Sequence, residues 1–431
     1  MPTVMTRRNF LKIAGVAAGA LTLPSGLLAY GSDRSSFDFS GWPDIRLGML
    51  MPGNSFSPRL TENFLAGFDY CLKTSGCVDA GVSVELVHGD AGGAVGVTAM
   101  KRLVNEKNVS LVTGVMNNAA ASNLRAFVRD EKFVLVAGSL GECMSRKSDI
   151  DPMTFHSNLN LWQANWAMGR WAARNMGESC VVVSSLYDSG YDSLEAFRLG
   201  FTSAGGSVRG TLIPDSDPKG PDYKALFSSI AETRPDFIHV LYSGRQAAEF
   251  IKAYGSSGLA GKVPLACSSY LLTEDFLKAA GPLAAGIKTC MPWQSGLFSG
   301  TGLLAGGKDD FPGKYAAKTG RALDAFGLLG YETSGIILSA LSSTRGNTKD
   351  ISALARAFDG AAFVSPRGRL NMDPKTNATS GPLYIHEVGV GGGRPFTKAI
   401  AESGCPSEYD NRMRSMWAAE RSGWHNAYVY A

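Results

Sequence analysis

One stretch of the chain, residues 109–141, reads as strand, helix and strand, and it constrains the fold more than any other stretch. Its first apolar run, 109–115, has the length of a buried strand and stops at Asn117 and Asn118, which supply turn and N-cap chemistry. The Ala-rich segment after them has apolar residues at helical spacing, and 133–137 returns as a second buried strand. The pattern predicts a βαβ unit of a parallel sheet.

The loops at the ends of these two strands form a candidate binding site. In a parallel sheet both loops lie at the carboxyl ends of neighbouring strands, where ligands bind. Free amides at the start of the helix, near Asn118, favour an anion, and residues 138–141 form the open loop of the second strand. A small carboxylate fits this chemistry. The alternative is that the two Asn residues only cap a helix within a buried unit.

The N-terminus carries a twin-arginine export signal. Arg7 and Arg8 are followed by Phe and Leu and then by a mildly apolar run, 13–29, that ends in small residues. A membrane anchor would need about 20 strongly apolar residues, whereas this run is shorter and is interrupted by Pro24. We expect cleavage between residues 29 and 31 and a soluble protein in the periplasm.

Charge and length restrict the class of protein. The signal contains three basic residues and no acidic one, so its removal lowers the formal net charge from +4 to about +1. Nucleic acid is therefore not an expected partner. The remaining chain, roughly 400 residues, is too long for one ordinary core and predicts two domains.

Seven cysteines in an exported chain predict disulfides. Cys71 and Cys77 are close enough in sequence to close a small loop at a helix end, and Cys267 with Cys290 is a weaker candidate pair. The odd count leaves at least one thiol free or buried in a core.

Strands and helices alternate along the chain. A strand at 45–52, a helix at 60–72, a strand at 82–88 and a helix at 95–105 precede the central stretch, and a second α/β unit begins with a helix at 161–176. This rhythm predicts a doubly wound parallel sheet. The glycines between residues 89 and 96 lack the spacing of a dinucleotide-binding loop, so they predict a plain turn.

The order of these elements and their endings resembles the type I periplasmic binding proteins of the leucine/isoleucine/valine-binding family. The resemblance extends from about Ile45 to Gly389. It rests on the opening strand at 45–52, Asp90 at the end of the second strand, 112–114, 188–191, 222–237, 354–363, 365–368 and 370–371.

The resemblance implies an α/β fold with two doubly wound parallel-sheet lobes joined by a three-crossover hinge. It implies that a solute binds between the lobes and passes to an ABC importer in the membrane. The predicted domains are a signal peptide, 1–31, lobe one, 44–157 and 291–365, lobe two, 158–290 and 366–390, and a C-terminal extension, 391–431. In the extension, 391–393 reads as a linker and 408–421 as a helix that docks on a lobe.

The resemblance also implies which residues bind the ligand. In the family, two loops of the first lobe hold the carboxylate and ammonium of an amino acid, and a tyrosine of the second lobe closes over the ligand. The candidate ligand-binding residues are Phe56, Asn117, Asn118, Ser139, Gly141, Trp162, Tyr191, Arg245, Ser269 and Tyr270.

Four of these residues have alternative roles, and Phe56, in the first loop, has the same two as Trp162. Trp162 begins the first helix of lobe two and either covers an apolar ligand or belongs to the core. Arg245 either pairs with an anionic ligand or forms a surface ion pair. Tyr191 either closes over the ligand or is a core residue at a helix start.

The sequence departs from the family at two places. Gly141 or Glu142 stands where a hydroxyl residue is usual, although backbone amides there still favour a carboxylate. No acid occurs at 268–270, where the family has the partner of the ligand's ammonium group. We expect a carboxylate with an apolar or aromatic body, bound without a metal or organic cofactor. Because of the missing acid, standard amino acids remain open together with aromatic or aliphatic acids and amides.

Two other classes of function remain as alternatives. An exported enzyme is the first, but the chain has no Gly-x-Ser-x-Gly elbow, no His-Glu-x-x-His and no phosphate loop, and its five His residues are scattered. The second is a binding lobe of a sensor, in which closure is detected and no transport occurs. The expected partners are a small-molecule ligand, a membrane ABC permease and, during export, the twin-arginine translocase.

Overall fold

The computed structural model describes residues 37–52, 58–88, 93–116, 118–141, 150–185, 192–214, 221–242, 244–269, 271–293 and 310–404. The predicted signal peptide and the helix predicted at 408–421 lie outside these ranges. Within the described ranges, helices and strands alternate along the chain and the strands form two sheets.

The described strands have bounds close to those that the sequence predicts, and the second strand matches its prediction of 82–88. The strands are β1 Ile45–Met51, β2 Val82–His88, β3 Leu111–Gly114, β4 Val134–Ser139, β5 Thr154–Asn158, β6 Ser179–Ser184, β7 Ser207–Leu212, β8 Phe237–Leu241, β9 Leu265–Cys267, β10 Lys288–Met291, β11 Ala362–Ser365, β12 Gly368–Asp373, β13 Ala378–Ser380, β14 Leu383–Gly391 and β15 Arg394–Gly404.

The helices separate most of the parallel strands. They are α1 Pro58–Ser75, α2 Gly93–Lys101, which continues as a π-helical turn Arg102–Glu106, α3 Asn118–Glu131, α4 Leu161–Asn175, α5 Asp192–Ser203, α6 Tyr223–Thr233, α7 Gly244–Ser256, α8 Glu274–Ala280, α9 Phe311–Thr319, α10 Ala325–Ser343 and α11 Ile351–Phe358. Among them none combines the length and the apolar character that a membrane span requires.

The first sheet has eight strands in the order β11-β12-β13-β5-β4-β3-β1-β2. Strands β1 to β5 pair in parallel, and β11 to β13 form an antiparallel group that joins β5 through β13. The second sheet has seven strands in the order β15-β14-β10-β9-β8-β6-β7, parallel from β10 to β7 and antiparallel at β14 and β15.

The described strands change sheet three times along the chain. The changes fall between β5 and β6, between β10 and β11, and between β13 and β14. Two mostly parallel sheets connected in this way confirm the predicted fold class. Sheet membership changes for the last time between Ser380 and Leu383, so β12 and β13 belong to the first sheet although the predicted boundary comes after residue 365.

The glycines at 391–393 do not form a linker, so that prediction is wrong. They form the turn of a hairpin in which β15 pairs antiparallel with β14 from Arg394 to Gly404. Gly392 and Gly393 have φ of +56° and +76°, which glycine adopts without steric cost. The glycine run therefore reverses the chain within the second sheet.

Apolar residues cover both faces of the first sheet. In β1, Met49 packs on the face that α1 and α10 cover, whereas the next residue, Leu50, packs with residues of α2 and α3. In β4, Val136 and Leu135 divide between the same two faces. Because successive strand residues point to opposite faces, this division produces the continuous apolar runs seen in the sequence.

Five described helices begin at a residue whose side chain accepts a hydrogen bond from a backbone N–H of the first turn. These N-caps are Asp222, Thr273, Asp310, Asp324 and Asp350. Each cap satisfies an N–H group that has no partner within its helix, so the sequence specifies where these helices start.

The predicted disulfides are wrong, because all five cysteines of the described ranges are free and buried. Cys77 Sγ donates a hydrogen bond to the Leu72 carbonyl at 3.3 Å, and burial raises the pKa of the Cys71 thiol to about 12. Cys267 and Cys290 pack on opposite faces of the second sheet, since they belong to different apolar clusters. Compact loops and adjacent strands do not by themselves bring two thiols together.

Candidate ligand-binding site

The carboxyl ends of β3, β4 and β5 lie at one edge of the first sheet. The three strands are parallel neighbours, and Ser139, the last residue of β4, is in register with Asn158, the last residue of β5. Helix α3 begins at Asn118, four residues after β3 ends. The predicted loops therefore lie at a shared edge, as a βαβ unit requires.

The chain leaves β3 in an unusual conformation. Gly114 and Val115 both have positive φ, +94° and +50°, and the Val115 N–H donates to the Leu50 carbonyl at 2.8 Å. A Cβ at Gly114 would lie 2.1 Å from that same carbonyl oxygen, so only glycine fits. A β-branched residue with positive φ costs about 1–3 kcal/mol, and such residues occur mainly at functional sites.

The loop after β4 bonds directly to the start of α4. The Gly141 N–H donates to Ser139 Oγ at 3.2 Å, and the Gly141 carbonyl accepts from the Trp162 N–H at 2.8 Å. Gly141 has φ of +74°, and a Cβ there would lie 2.9 Å from Asn158 Oδ1 and from the Asn160 nitrogen. The structure thus brings together three predicted residues, Ser139, Gly141 and Trp162, that lie up to 23 positions apart in the sequence.

Trp162 is fully buried, but its indole N–H has no acceptor among the described residues. One turn later Asn165 is also buried, and its Nδ2 donates to the Leu161 carbonyl at 2.9 Å while Oδ1 has no donor in the same part of the chain. Buried polar atoms normally have partners, so these two atoms are available to a water molecule or a ligand.

Other predicted residues lie elsewhere or cannot be placed. Arg245 is on the first turn of α7 with a side chain 90% exposed, and its Nε lies 3.5 Å from Glu249, which supports the alternative of a surface ion pair. Ser269 is half-buried beyond β9 in the second sheet, next to the buried Ser268, whose hydroxyl has no partner among the described residues. Phe56, Asn117, Tyr191, Tyr270 and the side chain of Asn118 lie outside the described part of the structure.

A buried ion pair adjoins this edge, and sequence reasoning did not assign it to the site. Arg367 Nε donates to both oxygens of Glu332, at 2.8 and 3.0 Å, and the Ser365 hydroxyl donates to the same carboxylate. Arg367 Nη2 donates to the Asn158 carbonyl at 3.0 Å, and Nη1 donates to Asn160 Oδ1 at 3.3 Å.

The same group of residues includes Thr379 of β13. Asn160 Nδ2 donates to the Thr379 carbonyl at 2.8 Å, and Thr379 Oγ1 accepts from the Asn158 N–H at 2.8 Å. We call Asn158, Asn160, Glu332, Ser365, Arg367 and Thr379 the crossover network. One sequence signal could have found it: Glu332 is the only charged residue of helix α10.

The described site contains amides, hydroxyls and paired charges. No three His, Cys, Asp or Glu side chains in the described ranges lie close enough together to hold a metal ion. The chemistry of this edge is therefore hydrogen bonding to a polar or anionic group beside a large aromatic side chain.

Comparison with known proteins agrees with this architecture. A family model described as periplasmic binding protein matches residues 44–394, and a model of the twin-arginine translocation signal sequence matches residues 4–24. The Leu/Ile/Val-binding protein homolog 6 of Brucella melitensis is 23% identical over 357 residues, which cover 80% of this chain and 87% of that protein.

Solved structures share the fold at low identity. A solute-binding protein of an ABC transporter from Rhodopseudomonas palustris, in complex with 3,4-dihydroxybenzoic acid, has a TM-score of 0.67 and 20% identity and covers 86% of this chain and 97% of its own. An ABC transporter substrate-binding protein from Sphaerobacter thermophilus has a TM-score of 0.72 and 19% identity, and the match covers 84% of this chain and 98% of that one. A third structure is the leucine-, isoleucine-, valine-, threonine- and alanine-binding protein of Brucella ovis in its closed conformation. It has a TM-score of 0.66 and 16% identity, and the match covers 84% of this chain and 95% of that one.

The export signal and the family match together confirm the predicted periplasmic location. The match to residues 44–394 spans strands β1 to β14 and all three passages between the sheets. The chain belongs to the periplasmic binding protein family, as a solute-binding protein exported by the twin-arginine pathway.

Proposed function

We propose that the protein binds a small carboxylate with an aromatic or apolar body, without an ammonium group, and delivers it to an ABC permease. The observation that carries this proposal is the edge of the first sheet, where the Ser139–Gly141 loop bonds to the start of α4 at Trp162 and where the neighbouring strand β3 leads into the start of α3. Free amides at the start of α3 would hold the carboxylate, and the indole of Trp162 would pack on the apolar body.

The start of α3 supports the anionic half. The helix is 14 residues long, and the first N–H groups of any helix have no partner within it. These amides and the helix dipole stabilise a negative charge by about 0.3–1 kcal/mol at an exposed site and by more in a partly buried one. No acidic residue lies in the first turn to compete for them.

Trp162 supports the aromatic half. Its N–H is a buried donor without an acceptor in the described ranges, and its backbone is held by the Gly141 carbonyl. Hydroxyl or carboxylate oxygen atoms of a bound acid would satisfy that donor, and the indole ring offers an apolar wall.

The chemistry near β9 disfavours an ammonium group. The described residues there, Ser268 and Ser269, are neutral, so they offer a hydroxyl and no counter-charge to a buried cation. Two of the solved relatives from Rhodopseudomonas palustris contain 3,4-dihydroxybenzoic acid and benzoate. Aromatic acids of this kind carry the carboxylate and lack the ammonium.

Lobe closure links ligand binding to delivery in this proposal. Two lobes joined by three passages close on a ligand that contacts both, and the permease recognises the closed form. The family consists of binding proteins, and we extend this role to the chain: it carries its ligand to the permease and catalyses no reaction on it.

Thermal shift and isothermal titration calorimetry test the ligand class. We expect benzoate and 4-hydroxybenzoate to raise the melting temperature by a few degrees, since ligand at 100 times its Kd stabilises by about 2.7 kcal/mol. Benzamide, the neutral analogue, should have little effect. Equal shifts by benzamide and benzoate would contradict the anion site, and a shift by L-leucine alone would contradict the missing ammonium.

A pair of tryptophan variants tests the location of the site. Trp162→Phe should weaken benzoate binding about five- to tenfold, because a lost hydrogen bond to a charged or polar ligand is worth about 1–1.5 kcal/mol. Trp171→Phe is the matched control, since Trp171 lies on the same helix and packs against the apolar core of the second sheet. Equal effects of the two changes would place the ligand elsewhere.

A further inference from the structure

The crossover network ties two of the three passages between the sheets to one residue, Arg367. The first passage leaves β5 at Asn158, whose carbonyl accepts from Arg367 Nη2 at 3.0 Å. The last passage lies between β13 and β14, and a Cβ added to Gly381 would be 3.2 Å from Arg367 Nη1. The Tyr384 hydroxyl donates to the Arg367 carbonyl at 3.4 Å. Arg367 therefore lies between the two passages and contacts both.

The charge of Arg367 is not available to a ligand. Its side chain is 0% exposed and that of Glu332 is 1% exposed. Each of its three nitrogens, Nε, Nη1 and Nη2, donates to an acceptor within the network. A guanidinium that is completely buried and bonded through all three nitrogens is shielded from a ligand in the cleft, so its role lies in what it holds in place.

Stability alone does not explain why a buried ion pair is present. Replacing such a pair by apolar side chains of similar volume is often neutral or stabilising. A guanidinium does provide donors in one rigid plane, a geometry that apolar side chains cannot supply. Here that plane fixes Glu332 of α10, the Asn158 carbonyl and the Asn160 side chain relative to one another.

Asn160 transmits this arrangement to the binding edge. It has φ of +55°, a conformation that L residues rarely adopt, and its N–H donates to Asn158 Oδ1 at 3.0 Å. The next two residues begin α4 and donate their backbone N–H groups to the loop after β4, Leu161 to Leu140 at 3.0 Å and Trp162 to Gly141 at 2.8 Å.

We infer that Arg367 is a positioning residue for ligand capture, which acts through Asn160 to hold the start of α4, and Trp162 with it, against the Gly141 loop. This inference rests on the proposed function for its consequence in binding. Its structural half, that Arg367 fixes the geometry of the start of α4, concerns the ligand-free protein.

Hydrogen exchange of the ligand-free protein tests the structural half. The variants are Arg367→Lys, which keeps the charge and loses the planar donors, and the double variant Arg367→Met with Glu332→Leu, which removes both charges. We expect the amides of residues 160–166 to exchange at least tenfold faster in both variants, while β4 keeps its protection. The control is Arg321→Met with Glu62→Leu, which removes an ion pair of 2.8 Å between half-exposed side chains of the first lobe.

Calorimetry with benzoate tests the binding half. We expect both Arg367 variants to bind at least tenfold more weakly and the control variant to bind as the wild type does. Unchanged exchange at 160–166 in a folded Arg367→Lys variant would overturn the inference. Faster exchange with unchanged benzoate affinity would overturn the positioning role. A wild-type protein that does not bind benzoate defeats the proposed function, and exchange alone then decides whether Arg367 fixes this segment.

Discussion

Polar side chains are buried both in the crossover network and inside the second sheet, and the two regions differ in how these groups are satisfied. In the network, Glu332 and Arg367 are buried charged groups: Glu332 bonds to Ser365 and Arg367, and Arg367 also bonds to Asn158 and Asn160. In the second sheet, His239 is completely buried and neither ring nitrogen has a partner among the described residues.

His239 tolerates this environment by losing its charge. Its ring stacks on Phe197 with 3.5 Å between ring centroids and 2° between planes, and burial lowers its pKa to about 3. His386 is also buried, its Nε2 donates to the Trp293 carbonyl at 2.7 Å, and its pKa is lowered to about 4, chiefly by burial. Both histidines are therefore neutral at the pH of the periplasm.

The contrast shows where this chain uses polarity to specify geometry. Charges that bond to one another fix the relative positions of α10, the start of α4 and β13. A neutral histidine on an aromatic ring behaves as one more core residue. We expect substitutions in the network to change structure and stability strongly, and substitutions of the unpartnered groups to matter mainly through pH.

The largest expected effect comes from removing one charge of the pair. Glu332→Leu should lower the free energy of unfolding by about 3–5 kcal/mol, because Arg367 would remain buried without a counter-charge. The double variant with Arg367→Met should recover much of that loss. Urea unfolding of the wild type, Glu332→Leu and the double variant measures the loss and the recovery. A double variant that is less stable than Glu332→Leu would show that the pair itself is strongly stabilising.

The next effect is a loss of stability in acid. The folded-state pKa values of His239 and His386 lie below the ordinary value of 6.5, so the unfolded chain binds protons that the folded chain does not. Stability is therefore full above pH 6.5 and falls toward pH 4, with a slope of up to about 1.4 kcal/mol per pH unit for each histidine.

His239→Leu should remove about half of this slope. Unfolding midpoints in urea, measured at intervals from pH 7.5 to pH 4.5 for the wild type and the His239→Leu variant, report the slope of stability against pH. Identical slopes in the variant and the wild type would mean that His239 is not held neutral by burial.

A smaller effect distinguishes two buried serines. Ser365→Ala should cost about 1–3 kcal/mol, because the carboxylate of Glu332 loses a donor inside the network. Ser268→Ala should change stability by less than about 0.5 kcal/mol, since its hydroxyl has no partner in the described ranges. Equal costs for the two changes would remove the contrast between the regions.

The smallest expected effect is that of a reducing agent. Dithiothreitol should leave the melting temperature unchanged, because the five described cysteines are free and a lost disulfide would typically cost about 2–5 kcal/mol. Thiol titration of the denatured protein without reductant gives an independent count of the free cysteines. A melting temperature that falls with reductant would point to a bond that involves Cys143 or Cys405, which lie outside the described residues.

Local sequence patterns were sufficient to predict much of the fold. The strands at 82–88 and near 111–114, the helix that begins at Asn118 and the strand near 134–139 were each predictable because a buried parallel strand is a short apolar run with turn residues at its end. The prediction that Ser139, Gly141 and Asn118 lie at one edge of the sheet followed from the same rule, since neighbouring parallel strands place their carboxyl ends together.

Contacts between distant residues could not be predicted in this way. The disulfide prediction failed because proximity in sequence says little about whether two thiols face each other. The glycines at 391–393 resembled a linker because their role depends on the pairing of β14 with β15. For Arg245, the sequence left open a ligand contact or a surface ion pair, and only the folded chain shows its 90% exposed side chain 3.5 Å from Glu249.

The amino-acid sequence alone was enough to predict the export signal, the alternation of strands and helices, and the loops that share one edge of the first sheet, because each depends on residues close together in the chain. The folded molecule was needed to place Arg367 against Glu332, 35 positions away, and to join Asn158 to Thr379, 221 positions away. A buried charge reveals its partner only when the chain is folded, since burial and pairing are properties of the packed molecule.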